Sequence, residues 1–209
     1  ILGWGAHRRA RAAVEAEQAA TRAEVAVRQG LPTALSRAEG ELAAAMELDS
    51  RSLRSARVWL HDRILRVHLW PSEGRRDGGL ASAIERGKMV GLSESELAEG
   101  HLVLSLVGND TPSAVWLART LDSASARNRD DAWRELAVGW VLERAGDARA
   151  LERYQHALVL DPDLVVARLA LMKLAALGAS VEQVEALGGE LPPEFATLRD
   201  ELGKLAKLG

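Results

Sequence analysis

The chain has 209 residues, six prolines, no cysteine and a net charge of −3. The lack of cysteine excludes disulfides, thiolate catalysis and cysteine-type zinc sites, and the net charge argues against nucleic-acid binding. Apolar residues make up 47% of the sequence but aromatic residues only 4%, so a core must be built mainly from Leu, Ala and Val. This composition suits closely packed helices and predicts an all-α protein.

The first predicted element is a helix over residues 6–29, rich in Ala, Arg and Glu. The chain begins with an apolar stretch, Ile1 to Ala6. An arginine cluster, Arg8 to Arg11, comes after this stretch, within the predicted helix. This pattern is typical of a frayed helix start, but also of a transmembrane helix leaving the bilayer on the cytoplasmic side. A span needs about 20 residues, so the second interpretation requires a membrane anchor before Ile1. The compartment stays open, with a cytoplasmic or membrane-tethered cytoplasmic location slightly favoured.

Gly30 to Thr33 interrupts the first helix, and a second helix is predicted from Ala34 to Leu48. A third, over residues 52–69, carries two apolar stripes, which predicts packing on two sides. From Arg51 to Arg76 there are seven arginines and two acidic residues, with two tryptophans interleaved. One interpretation is a solvated face, because arginine stems cover apolar surface while the charge stays in water. The other is a binding surface.

The middle of the chain continues the helical pattern. We predict a polar loop from Ser72 to Gly79, and then helices over the ranges 80–90, 96–107 and 112–123. Ser93 and Glu96 form a capping-box pattern. The apolar run at 101–107 also fits a short strand, but its neighbours favour helix. Thr111 is predicted to cap the following helix, with Pro112 in its first turn, and Ser123 to Asp130 forms a linker.

The stretch from Asp131 to Pro162 has the most specific pattern. Its first helix carries an apolar stripe at i, i+3, i+4 and i+7, and its second helix alternates small and aromatic residues on one face: Trp133, Leu136, Ala137 and Trp140, then Ala150, Tyr154 and Ala157. Gly146 and Asp147 form the turn between them. This pattern resembles the tetratricopeptide repeat (TPR), a helix–turn–helix of about 34 residues, with one extra residue in the turn.

The C-terminal part continues as helices over the ranges 164–177 and 181–187, followed by a break at Leu191 to Pro193. The last helix, from Glu194 to Leu208, is amphipathic, and we predict that it covers the end of the stack. Its predicted apolar face consists of Phe195, Leu198, Leu202, Leu205 and Leu208.

The resemblance implies a TPR-like α-solenoid of antiparallel helical hairpins with a C-terminal capping helix. Residues 1–30 form an N-terminal helix that is continuous with a repeat domain over 31–209, in which 131–163 is the best repeat. The resemblance further implies a scaffold that binds a protein or peptide partner in a groove, which is formed by the first helices of successive hairpins. By position, the groove residues are Arg54, Arg57, His61, Arg134, Val138, Val141, Leu169 and Lys173. A groove that is basic at one end and apolar at the other suits a partner with acidic and apolar parts.

Catalytic, metal-binding and cofactor-binding motifs are not found. Gly78-Gly79 lacks the partners of a phosphate loop, and His61 and His68 lie seven residues apart, too far for easy ligation of one ion. We therefore expect no catalytic residues, no metal and no cofactor. Three interpretations stay open: a peptide-binding scaffold, the sensor or scaffold region of a membrane-anchored protein, and a helical domain that binds nucleic acid or an enzyme. The sequence does not indicate an oligomeric state.

Overall fold

The computed structural model describes residues 2–69, 79–108, 110–124, 131–178 and 180–208. Over these residues the protein contains helices and turns and no strand. The described ranges contain eleven α-helices: α1 Leu2–Gln29, α2 Pro32–Leu48, α3 Leu53–Leu69, α4 Gly79–Val90, α5 Glu94–Val107, α6 Thr111–Ala124, α7 Ala132–Arg144, α8 Ala150–Leu160, α9 Val165–Leu177, α10 Val181–Gly189 and α11 Ala196–Ala206. A 3-10 turn, Pro193–Phe195, precedes α11. The all-α prediction is confirmed.

The chain divides into two compact units, Ile1–Leu121 and Asp122–Gly209. The division falls at the last turns of α6, beside the predicted linker, whose residues 125–130 lie outside the described ones. The predicted loop from 72 to 78 also lies outside them, while Gly79 begins α4. That residues 31–209 form one continuous domain stays a prediction.

In the first unit α3 is the central helix, because it packs against α1, α2, α4 and α5. Its two predicted apolar stripes are buried except for Leu53, which is exposed, and Leu69, which is half-buried. The face opposite the stripes is also buried, since Ser55 and Asp62 are inaccessible to solvent. α3 is therefore covered on more than the two predicted sides, and polar side chains lie inside this unit.

Local sequence signals determine several helix ends. Ser93 and Glu96 form the predicted capping box: the Ser93 N–H donates to Glu96 Oε2 at 2.8 Å, and the Glu96 N–H donates to Ser93 Oγ at 3.3 Å. The apolar run after it is helical, so the strand alternative is wrong. Thr111 does not cap α6. The preceding Asp110 does, because its carboxylate accepts the Ser113 N–H at 3.1 Å.

In the second unit α7 packs against α8, and α9 packs against α8, α10 and α11. The turn between α7 and α8 contains Gly146 at φ +72°, a left-handed conformation that glycine adopts without strain. The last helix packs through Leu202 and Ala206 against Met172 and Val184. Leu198 and Leu205 of the predicted inward face are exposed, so the packed face of α11 is rotated from the predicted one.

Candidate binding surfaces

The core of the α7–α8 hairpin consists of the side chains that carry the TPR-like pattern. All of them are buried: Trp133, Leu136, Ala137, Trp140, Ala150, Tyr154 and Ala157. Tyr154 lies against Gly139, where a Cβ atom would come within 2.4 Å of the ring. Its hydroxyl donates to Glu143 Oε2 at 2.6 Å. Burial, and then this bond to a carboxylate, raise the pKa of the Tyr154 phenol.

The predicted groove residues of α7 are not on an open surface. Arg134, Val138 and Val141 are all buried. The neighbouring Glu135 is also buried and accepts a hydrogen bond from Arg153 Nη1 of α8 at 3.0 Å. The all-round burial of α7 was missed by sequence reasoning, which treated one side of this helix as exposed.

The predicted groove residues of α9 are accessible. Leu169 is half-buried and Lys173 is exposed. The Lys173 ammonium contacts Glu143 Oε1, so Glu143 joins the end of α7 to both α8 and α9. This ion pair was not predicted, because its partners lie 30 positions apart.

The arginines of α3 are held by carboxylates of neighbouring helices. Arg54 donates from Nη2 to Glu24 Oε2 at 2.7 Å and also contacts Glu17, both on α1. Arg57 contacts Glu96 on α5. Glu17 and Glu24 are seven residues apart, on one face of α1, and this spacing is the signal that could have indicated an internal partner for Arg54. Part of the predicted basic surface is thus neutralised within the protein.

His61 is directed into the first unit. It is buried, with its Nε2 3.2 Å from Oε2 of the equally buried Glu99 on α5. Two turns of α3 place Arg54, Arg57 and His61 on one side, but their partners lie on two different helices. Together they form contacts between helices of the first unit.

A second polar group surrounds Asp62, the fully buried carboxylate of α3. Arg66 Nε donates to Asp62 Oδ2 at 3.0 Å, and its Nη2 donates to the Leu35 carbonyl at 2.8 Å. Arg63 contacts Glu39 on α2 at 2.6 Å. Burial raises the pKa of Asp62, against the lowering effect of Arg66. This group joins α3 to α2 and is structural.

The second unit contains a cleft of about 580 Å³ between the α7–α8 turn and the connection from α9 to α10. Its apolar lining comes from Ala150, Leu151, Leu174 and Ala175, and its polar lining includes Glu143 and Gln183. Because Glu143 also holds Lys173, the cleft borders the accessible part of the predicted groove. The cleft was not predicted, since two separate turns form it.

The described residues contain no group of three or more His, Asp or Glu side chains placed to hold a metal ion. Among the helices that the structure describes, none combines the length and the apolar character needed to cross a membrane.

The fold and these surfaces define an all-α protein. Comparison with protein-family models finds no match, and comparisons with curated proteins and with solved structures find no significant similarity. The arguments about function therefore depend on the residues and contacts of this chain.

Proposed function

We propose that the chain is a TPR-like helical repeat protein that serves as a protein–protein interaction scaffold. The observation that carries this proposal is the α7–α8 hairpin, in which every residue of the repeat-like pattern is buried. A hairpin of this kind is a structural unit that stacks on others. The function it suits is recognition over an extended surface, without a reaction centre.

Contacts in the first unit are compatible with stacked hairpins. The alternate helices α1, α3 and α5 contact one another in order, and α2 and α4 each pack beside them. An array of this kind leaves successive first helices along one side of the stack, where TPR-like proteins bind their partners.

The second unit offers an accessible surface for a partner. We place an apolar side chain of the partner in the cleft, against Leu151 and Leu174. An acidic group of the partner would then approach Lys173, beside Leu169. The Lys173 side chain is 56% exposed, so its ion pair with Glu143 is screened by solvent, and such pairs contribute roughly 0–1 kcal/mol. A carboxylate of the partner can replace Glu143 at little cost.

The test begins with a displayed peptide library, from which binders with acidic and apolar residues are selected. Their affinities are then measured by calorimetry for wild type, Leu151→Asp and Lys173→Glu. We expect a loss of tenfold or more in both variants, about 1.4 kcal/mol. Val159→Asp, an exposed position on the same helix, is the matched control. Unchanged affinity in both cleft variants would remove this surface from the proposal.

The predicted basic end of the groove needs a separate variant, because Arg57, although exposed, is paired with Glu96 of the same unit. Arg57→Gln with Glu96→Gln removes the charge and its partner together, and glutamine at position 96 still supports the capping box. If Arg57 contacts the partner, this double variant weakens peptide binding while its helicity is unchanged. Equal binding would restrict Arg57 to its structural role.

A second candidate function is the scaffold or sensor region of a membrane-anchored protein. It is favoured by the exposed arginines at the start of α1, which follow the apolar residues 1–6. Anionic lipid attracts a basic segment by about 1 kcal/mol per arginine. Sedimentation with phosphatidylserine vesicles, compared for wild type and Arg8→Gln/Arg9→Gln/Arg11→Gln, tests it. Equal sedimentation of the two proteins would count against a membrane-facing role.

A further inference from the structure

The cleft beside Glu143 is larger than one aliphatic side chain needs. Its volume is about 580 Å³, whereas a cavity of about 150 Å³ already holds a benzene molecule. Leu151 and Leu174 supply apolar surface. Small residues form much of the remaining wall: Gly146, Ala148, Ala150, Ala175 and Gly178. The cleft therefore has room for a two-ring side chain.

Glu143 is the carboxylate of this cleft that would lose a donor when a partner binds. Its Oε2 accepts the Tyr154 hydroxyl at 2.6 Å, and its Oε1 pairs with the Lys173 ammonium. In the proposed function, on which this inference rests, Lys173 turns to an acidic group of the partner. Glu143 Oε1 is then left at the wall of a filled apolar cleft, and covering a carboxylate oxygen without a donor is unfavourable. The side chain that fills the cleft should therefore carry a donor.

Asp147 is the other carboxylate among the described residues that line the cleft, and it keeps its donors. Arg149 Nε donates to Asp147 Oδ1 at 3.0 Å, and Arg149 Nη2 donates to Oδ2 at 2.6 Å. The backbone N–H of Arg149 also donates to Oδ1. Ser180 and Gln183 complete the polar lining and are neutral. The donor that binding removes is thus missing at Glu143 and not at Asp147.

We propose that the partner fills the cleft with a tryptophan that has an acidic residue next to it. The indole packs against Leu151 and Leu174, its N–H donates to Glu143 Oε1, and the neighbouring carboxylate pairs with Lys173. An indole combines a large apolar body with one donor. Leucine and phenylalanine have no donor, and lysine or arginine would place another cation among apolar side chains.

Calorimetry with synthetic peptides measures what the indole N–H contributes. The probe is an acidic peptide from the displayed library, synthesised with tryptophan, benzothienylalanine or leucine at the position that binds the cleft. That position is the one at which alanine abolishes the effect of Leu151→Asp on affinity. Benzothienylalanine has nearly the shape of tryptophan but carries sulfur in place of the N–H. We expect wild type to bind the tryptophan peptide at least about tenfold more tightly than either analogue, as for a hydrogen bond to a charged group.

Protein variants identify the acceptor. In Glu143→Gln the preference for tryptophan over benzothienylalanine should fall below about threefold, because the acceptor loses its charge. Lys173→Gln should weaken binding of the acidic peptide but keep this preference, since Glu143 stays in place. Glu152→Gln, the same change at an exposed position of α8 outside the cleft lining, is the matched control and should bind like wild type.

Three results would count against the inference in different ways. Equal affinity of wild type for the tryptophan and benzothienylalanine peptides would overturn it and leave the proposed cleft binding intact. A preference that survives in Glu143→Gln and is lost in Gln183→Ala would overturn the assignment of the acceptor. Peptides whose affinity Leu151→Asp does not change would contradict the proposed function itself, and this inference with it.

Discussion

Gly139 and Tyr154 show how one missing side chain allows a close approach of two helices. Gly139 lies in the middle of α7, where glycine is unfavourable for the helix by about 1 kcal/mol relative to alanine. The Tyr154 ring of α8 occupies the space that a Cβ atom would need. Glycine at this position therefore lowers the helix propensity of α7 but allows α8 to pack closely against it.

Gly139→Ala should destabilise the protein by about 1–3 kcal/mol, because the added methyl group forces the buried ring to move. The gain in helix propensity offsets part of this cost. Gly40→Ala, on the exposed face of α2 with no atom near its Cβ position, is the matched control and should stabilise by up to about 1 kcal/mol. Chemical denaturation measures both. An equal increase in the free energy of unfolding of the two variants would contradict the packing argument.

At the scale of elements, the α7–α8 hairpin depends on its buried tryptophans. Trp140 is one of the largest side chains in this hairpin, and it is buried. Trp140→Ala should lower the free energy of unfolding by about 3–5 kcal/mol, since it removes apolar contact and leaves a cavity. Urea denaturation followed by circular dichroism is the measurement. A loss below about 1 kcal/mol would show that Trp140 does not have this role.

The start of α5 should respond to acid. Burial alone would raise the pKa of Glu96, but hydrogen bonds from Ser93 and the contact with Arg57 outweigh it and lower this pKa below 4.5. A lowered pKa in the folded state means that ionised Glu96 stabilises the protein above pH 4.5. This stabilisation is lost as the pH falls through the folded-state pKa.

We expect Glu96→Gln to reduce the free energy of unfolding by roughly 1 kcal/mol at neutral pH. This difference from wild type should shrink as the pH falls below 4.5, the ordinary pKa of glutamate. Urea denaturation at a series of pH values gives the curve. Arg57→Gln should move the acid transition towards 4.5 by removing one of the lowering contacts. A difference that stays constant down to strongly acidic pH would contradict this account.

At the scale of the whole molecule, the ion pairs of the arginine-rich α3 lead us to expect weak binding of polyanions. Arg54, Arg57, Arg63 and Arg66 all contact carboxylates of the same chain, and the net charge is −3. Non-specific DNA binding depends on cations free to replace the counterions of the phosphates.

We therefore expect duplex DNA to bind more weakly than a Kd of roughly 10⁻⁴ M at physiological salt. Fluorescence anisotropy of a labelled duplex measures this binding. The double variant Arg57→Gln/Glu96→Gln should behave like wild type, because it removes one charge of each sign. Micromolar binding with a steep salt dependence would reverse the conclusion and favour the nucleic-acid interpretation.

The sequence by itself determined where the helices lie and which residues form the core of the central hairpin. Helical periodicity and helix ends depend on residues within one or two turns, such as Ser93 with Glu96, so they can be read from spacing alone. For the same reason the residues packed between α7 and α8 followed from the TPR-like pattern, although the burial of the rest of α7 did not.

Only the tertiary structure decided what the polar side chains of those helices contact. Arg54 and Glu24 are 30 positions apart, and Arg57 and Glu96 are 39 apart. Their meeting depends on how non-adjacent helices are placed against each other, about which periodicity carries no information. The tertiary structure also decided the burial of Arg134, the cleft beside Glu143 and the rotated packed face of α11. An amphipathic pattern shows that a helix packs but not which neighbour covers each side.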